Sequence, residues 1–259
     1  MTTMHYRERT LPESSPVARI WIARGEAGPR ETILPDGRYE LIFNFGDRVL
    51  QDGVAQPLAM LAAETRRAVS MEPSGRVDFL GVTLRDGCAA AILKAPLREM
   101  RDCMLDIRDV DRRLDLHERL AEASDEQRLH LILDAFRDVT ANALACAAAS
   151  TIRAAGGRVS MTRLAAKYGV TVRTLARAFD RALGITPKTL ARVTRLGRAA
   201  AMLRGGASGV NAALDAGYFD QAHMTNEFRS MAGLSPSRWL DLPTGLGVQF
   251  LQDQPSRNA

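Results

Sequence analysis

Two stretches of this chain repeat one pattern, and that repeat limits the fold more than any other feature. "MTRLAAKYGVTVRTLARAFDRALGITP" runs from Met161 to Pro187, and "NAALDAGYFDQAHMTNEFRSMAGLSP" from Asn211 to Pro236. Each predicts a short helix and then a glycine, Gly169 or Gly217, where a tight turn needs backbone freedom. A second helix follows, anchored by Phe179 or Phe228, with Leu175 in the first copy matching Met224 in the second. Each copy then stops at a glycine, Gly184 or Gly233, with a proline three residues later, Pro187 or Pro236. Between them, "TPKTLARVTRLGRAAAML" (186–203) predicts one connecting helix with Leu190, Val193, Leu196 and Ala200 as its apolar stripe. The expected C-terminal architecture is therefore all-α, with two helix-turn-helix units on a rigid connector.

Such a unit can present its second helix to a DNA major groove, with the N-terminal half of that helix reaching base edges. In the first copy the residues placed to do so are Thr171, Val172, Arg173, Thr174 and Arg177, which offer hydroxyl, methyl and guanidinium contacts. In the second copy they are Gln221, Ala222, His223, Thr225 and Asn226, preceded by Asp220. Gln221 and Asn226 are the amide types that pair bidentately with adenine. A connecting helix would hold the two reading helices near one DNA turn apart, about 34 Å. Charge points the same way. Residues 150–242 hold 14 Lys and Arg against 5 Asp and Glu, a net +9 within a chain whose total is +5. A basic block beside a mildly acidic one suits a polyanion-binding module attached to something else. Asp180 and Glu227 are expected to add acidic charge near the DNA face.

The first hundred residues read as strands. "ARIWIAR" alternates, and "RYELIFNF" puts Tyr39, Leu41, Phe43 and Phe45 on one face. "RVDFLGVTLR" sends Val77 and Phe79 one way and Leu80, Val82 and Leu84 the other. "PDG" (35–37) and "PSG" (73–75) mark turns between such runs. A small barrel or sandwich is expected over 1–100, a helical connector over 101–140, the DNA-binding domain over 141–241 and a tail over 242–259. Ser124 and Gln127 form a capping box before a helix that includes Ile132 and Phe136. Trp21, Tyr39, Phe43 and Phe45 are the candidates to line an effector pocket, although alternation does not say which face is hollow.

Several function classes are disfavoured. No run of about 18 apolar residues marks a membrane span. The polar N-terminus lacks a signal-peptide core, so the cytoplasm is the expected compartment. Cys88, Cys103 and Cys146 are widely spaced and suggest neither a disulfide framework nor a zinc site. A metal-dependent enzyme of the barrel half needs clustered histidines, and that half offers only His5, His117 and His130. No nucleophile elbow, zincin motif or phosphate loop occurs, so no catalytic residue, metal or cofactor is expected.

Residues 141–241 resemble the DNA-binding domain of the AraC/XylS family of transcriptional regulators. The resemblance rests on "LAAKYGVTVRTLARAFDRALGITP", on Arg195-Leu196, and on "AGYFDQAHMTNEFRSMAGLSPSRW". "ILPDGRYELIFNFGD" is similar to the family's cupin-like sensor domains. The resemblance implies an α+β two-domain chain that binds double-stranded DNA sequence-specifically. It also implies an N-terminal half that binds a small-molecule effector or forms a homodimer, and contact with RNA polymerase if the protein activates. The family usually has serine where this chain has Ala222, and often arginine where it has Asn226. That shifts the expected DNA affinity toward Arg173 and Arg177. Two alternatives stand beside this reading: a regulator whose first half only dimerises, and a cupin-type small-molecule enzyme with a vestigial DNA-binding module.

Overall fold

The computed structural model describes residues 4–93 and 96–243, so most of the tail expected from 242 lies outside the described residues. The first half is built from β1 (His5–Thr10), β2 (Val17–Glu26), β3 (Glu31–Ile33), β4 (Glu40–Asn44), β5 (Val49–Gln51), β6 (Val54–Ala55), β7 (Ala59–Ala62), β8 (Val69–Pro73), β9 (Arg76–Leu84) and β10 (Met104–Asp106). A six-stranded antiparallel sheet has the order β1-β2-β9-β4-β7-β10, and a four-stranded antiparallel sheet the order β3-β8-β5-β6. The three runs that alternate in the sequence became β2, β4 and β9, which are paired at the centre of the larger sheet. "AMLA" became β7, a strand buried on both faces and therefore without alternation.

The short helices α1 (Ala89–Leu93), α2 (Leu97–Met100), α3 (Ile107–Val110) and α4 (His117–Ala121), with α5 (Asp125–Ala135), cover one face of the larger sheet. Leu41, Phe43, Leu80, Val82 and Leu84 meet Ile92, Leu97, Ile107, Leu120, Ile132 and Phe136 there. The capping box at Ser124 and Gln127 starts α5. Residues 101–140 are thus not a connector. They supply the edge strand β10 and much of the first half's core, because the sheet's apolar face must be covered by something.

The second half consists of α6 (Ala143–Ala154), α7 (Met161–Lys167), α8 (Val172–Leu183), α9 (Pro187–Arg204), α10 (Gly209–Ala216), α11 (Gln221–Ala232) and α12 (Pro236–Leu240). Leu190, Val193, Leu196 and Ala200 of α9 are all buried in its core, beside Phe179 and Phe228. Arg204 closes the end of α9 onto α12. It donates to the carbonyls of Trp239, Leu240 and Leu242 and lies 4.2 Å over the Trp239 ring.

The halves meet through a half-buried ion pair. Arg153 of α6 donates to Asp86 at 2.5 and 2.8 Å, and to the carbonyls of Asp36 and Gly37 at 3.0 and 3.2 Å. Burial alone would raise the Asp86 pKa, but the charge and hydrogen bonds of Arg153 hold it below the ordinary carboxylate value. The Tyr39 hydroxyl donates to the Leu183 carbonyl at 3.2 Å, and the Ala68 N–H to the Met231 carbonyl at 2.8 Å. Cys88 and Cys146, distant in sequence, come within hydrogen-bonding reach of each other at the same seam.

Glu64, just after β7, is 1% exposed, and neither carboxyl oxygen has a hydrogen-bond partner. Burial, reinforced by the nearby Asp102, pushes its pKa from 4.5 to about 7. The folded form therefore holds this proton to a higher pH than the unfolded chain does, so stability falls as pH rises from about 4.5 through 7. The full loss is on the order of 3 kcal/mol. Glu64→Gln is expected to raise the melting temperature at pH 8 and to change it little at pH 5. Equal shifts at both pH values, read by thermal melts, would rule out a buried proton at Glu64.

Candidate nucleic-acid interface and the cavity behind it

Both helix-turn-helix units are assembled by the same local chemistry. Ser160 caps α7 and Ser208 caps α10, each accepting the N–H three residues on. The second helices are capped by Thr171, which accepts from the Thr174 N–H at 3.1 Å, and by Asp220, which accepts from the His223 N–H at 2.7 Å. Both end at a left-handed glycine, with φ of 71° at Gly184 and again at Gly233. The caps and stops of α8 and α11 stand 49 residues apart in sequence at every one of these points.

The faces differ in chemistry. Thr171, Val172, Arg173, Thr174 and Arg177 are all exposed along the leading half of α8, while Leu175 and Phe179 are buried beneath them. On α11, Gln221, Ala222, His223 and Asn226 are exposed and Thr225 is half-buried, over the buried Met224 and Phe228. The His223 ring stands edge-on to Tyr218 at 5.3 Å. The first face carries two guanidinium groups and the second carries amides and an imidazole, on helices whose N-termini favour anions.

Glu227 does not add acid to this face. It is 8% exposed and points at α9, where Arg192 donates to it at 2.6 Å and Arg195 at 3.2 Å. Burial would raise its pKa, but these two guanidinium groups hold it low. Arg195 also lies 5.0 Å over the Tyr218 ring. The "RL" of the connecting helix is thus a clamp that fixes α11 against α9. Asp180 is exposed on α8, as expected.

Phe219 was missed by the sequence reading. It is 86% exposed, immediately before the α11 cap. The signal was present: Gly217 and the Asp220 cap are three residues apart, whereas Gly169 and the Thr171 cap are two apart. The extra residue is the one pushed into solvent.

In the first half the hollow face is the one opposite the helices. A cavity of about 150 Å³ lies between the two sheets, walled by Trp21, Ile42, Met60 and Phe79 from one side and Glu31, Val69 and Met71 from the other. Of the four aromatics expected to line it, only Trp21 does. Period-2 alternation sends Phe43 to the helix-covered face, and Tyr39 lies in the same core. Phe45 sits between His117, at 5.0 Å, and the Arg128 guanidinium, at 4.4 Å. Among the described residues no three His, Cys, Asp or Glu side chains converge as a metal set, and no helix is long and apolar enough to cross a membrane.

A helix-turn-helix domain family matches residues 164–241, and a domain of unknown function (DUF6597) matches residues 14–106. No curated protein matches the chain. Among solved structures, a probable AraC family transcriptional regulator from Rhodopseudomonas palustris is 31% identical, with 36% of this chain covering 90% of that one at a TM-score of 0.33. ToxT from Vibrio cholerae is 11% identical, with 94% of this chain covering 99% of that one at a TM-score of 0.49. The duplicated units, the helix-turn-helix match and the 31% identity across 90% of the Rhodopseudomonas protein agree: this chain belongs to the AraC family of transcriptional regulators and is a DNA-binding regulator.

Proposed function

We propose that α8 and α11 read successive major grooves on one face of the duplex, and that the cavity of the first half takes an effector that biases how they are held. The observation that carries the first part is the pair of helices, each capped by a side-chain oxygen three residues back, with exposed polar leading faces on one connecting helix. At 1.5 Å per residue, the 18 residues of α9 span about 27 Å, close to the repeat of one DNA turn. Thr171, Val172, Arg173, Thr174 and Arg177 contact one groove, and Gln221, Ala222, His223, Thr225 and Asn226 the next. The first set supplies more of the affinity, because its guanidinium groups bind guanine edges and phosphates. The protein acts on double-stranded DNA in the cytoplasm, with no catalytic step of its own.

The second part is supported by which segments border the cavity. Leu34, Asp36, Arg38 and Glu40 line it, and the residues between them, Gly37 and Tyr39, touch α9 and α8. Ala63, Thr65 and Val69 line it too, and Ala68 holds the Met231 carbonyl near the end of α11. A ligand that moves either segment therefore moves the C-terminal end of a reading helix. Such coupling needs only a difference in affinity between two arrangements of the halves.

Changing Arg173 and Arg177 together to alanine is expected to weaken operator binding at least tenfold, since a bidentate base contact gives about 1–3 kcal/mol. The salt dependence should become shallower if either also neutralises a phosphate. Fluorescence anisotropy with upstream DNA against random duplex measures both, and unchanged affinity would remove these two residues from the interface. Glu227→Ala leaves Arg192 and Arg195 facing an empty site. It is expected to cost about 1–3 kcal/mol in a denaturant melt and to weaken operator binding without altering α8.

A further inference from the structure

We propose that Cys88 and Cys146 are an oxidation site, at which hydrogen peroxide joins the two halves of the chain through a disulfide. The link itself stands on the geometry of the seam. Its effect on DNA binding rests on the reading that the docking of the halves biases how α8 and α11 are held.

The two cysteines belong to different cores. Cys88 stands just before α1 in the first half, where its carbonyl accepts from the Ala91 and Ile92 N–H groups at 3.0 and 3.1 Å, and it is 1% exposed. Cys146 lies in the first turn of α6, beside the buried Ala145, Ala148 and Ala149 of the second half. Its sulfur is nonetheless seated on the first half. It donates to the Asp86 carbonyl at 2.9 Å, and a Cβ placed on Gly87 would stand 2.7 Å from it. One turn earlier, the Asn142 N–H donates to the Gly87 carbonyl at 3.3 Å. Cys88 is the next residue, and its thiol meets the Cys146 sulfur in a hydrogen bond. Two turns further along α6, Arg153 holds Asp86 at 2.5 and 2.8 Å. Asp86, Gly87 and Cys88 thus each touch α6 or the residue that caps it. Sulfurs already in contact have only to close to about 2.05 Å to be bonded.

Burial sets the order of the two steps. Cys146 is half-buried and Cys88 buried, so peroxide reaches Cys146 first. The hydrogen bond from Cys88 favours the thiolate of Cys146 and holds its pKa below the ordinary thiol value. The Cys146 sulfur attacks one peroxide oxygen. An S–O bond forms, the O–O bond breaks, and the departing hydroxide takes up the proton that Cys146 released and leaves as water. The Cys88 sulfur then attacks the sulfenic sulfur. The S–S bond forms, the S–O bond breaks, and the second hydroxide leaves as water with the Cys88 proton. Two thiols together lose two electrons, and one hydrogen peroxide is reduced to two waters.

The test uses the chain's own cleavage pattern. Its three cysteines fall in separate tryptic peptides, 86–94, 102–108 and 138–153. The full chain is treated with a few equivalents of hydrogen peroxide, its free thiols are counted, and its digest is read by mass spectrometry without reduction. Free thiols are expected to fall from three to one, with 86–94 linked to 138–153 and separated again by dithiothreitol. Cys88→Ser and Cys146→Ser should each abolish the linked species, and Cys103→Ser should keep it. Survival of all three thiols, oxidation of Cys103 ahead of the pair, or a link found only between two chains overturns the site. This map needs no DNA, so it holds or fails apart from the DNA-binding reading. Anisotropy with the upstream DNA then reads the consequence. The affinity of the linked chain is expected to differ at least threefold from that of the reduced chain, to return with dithiothreitol and to stay constant in Cys88→Ser. A linked chain with unchanged affinity removes the regulatory effect and leaves the oxidation site standing. A shift as large in Cys88→Ser overturns the link as its cause.

Discussion

The contact on which the arrangement of the two halves depends is the half-buried pair of Arg153 and Asp86. One guanidinium spends its donors on a carboxylate from the end of β9 and on two carbonyls of the 36–37 turn. Taking both ions partly out of water carries a cost, which the mutual attraction and extra hydrogen bonds largely offset. Such a pair contributes geometry more than net stability. A bidentate fork tolerates little rotation, so α6 can sit on the sheet in few ways. Because the same guanidinium holds the turn that borders the cavity, the docking of the DNA-binding half and the shape of the cavity wall are one problem.

From that docking the rest follows. With α6 fixed, the C-terminal ends of α8 and α11 come to lie against the rim of the first half, where Tyr39 and Ala68 each take a carbonyl near a helix end. Gly184 is needed there twice over. Its φ of 71° favours glycine, and a Cβ would stand 2.8 Å from Leu97 and 2.9 Å from the Tyr39 hydroxyl. The clamp of Arg192 and Arg195 on Glu227 then sets the roll of α11 relative to α9. The seam to the first half and the exposed polar residues thus lie at opposite ends of the same two helices.

Local signals made much of this legible in advance. The helices α8 and α11 begin at Thr171 and Asp220 and end at Gly184 and Gly233 because caps and left-handed stops are short-range chemistry, complete within four or five residues. β2, β4 and β9 were visible through alternation, since each has one face on the helices and one toward the cavity. β7 carried no such mark, being buried on both faces. Residues 101–140 looked like a connector because their short helices are amphipathic, and nothing in the sequence names the sheet face that they cover.

The sequence by itself determined the duplicated units, their caps, the connecting helix and the exposed side chains of α8 and α11, because all of these follow from spacing along a single helix or turn. Only the tertiary structure decided where long-range partners lie. It turned Glu227 from the exposed side of α11 to the connecting helix. It put Tyr39, Phe43 and Phe45 into the core beneath the helices while leaving Trp21 at the cavity, and it brought Cys88 to Cys146 and Asp86 to Arg153. Charge and hydrophobicity say that a side chain needs a partner, but the partner's identity depends on packing between segments tens of residues apart, which no local pattern encodes.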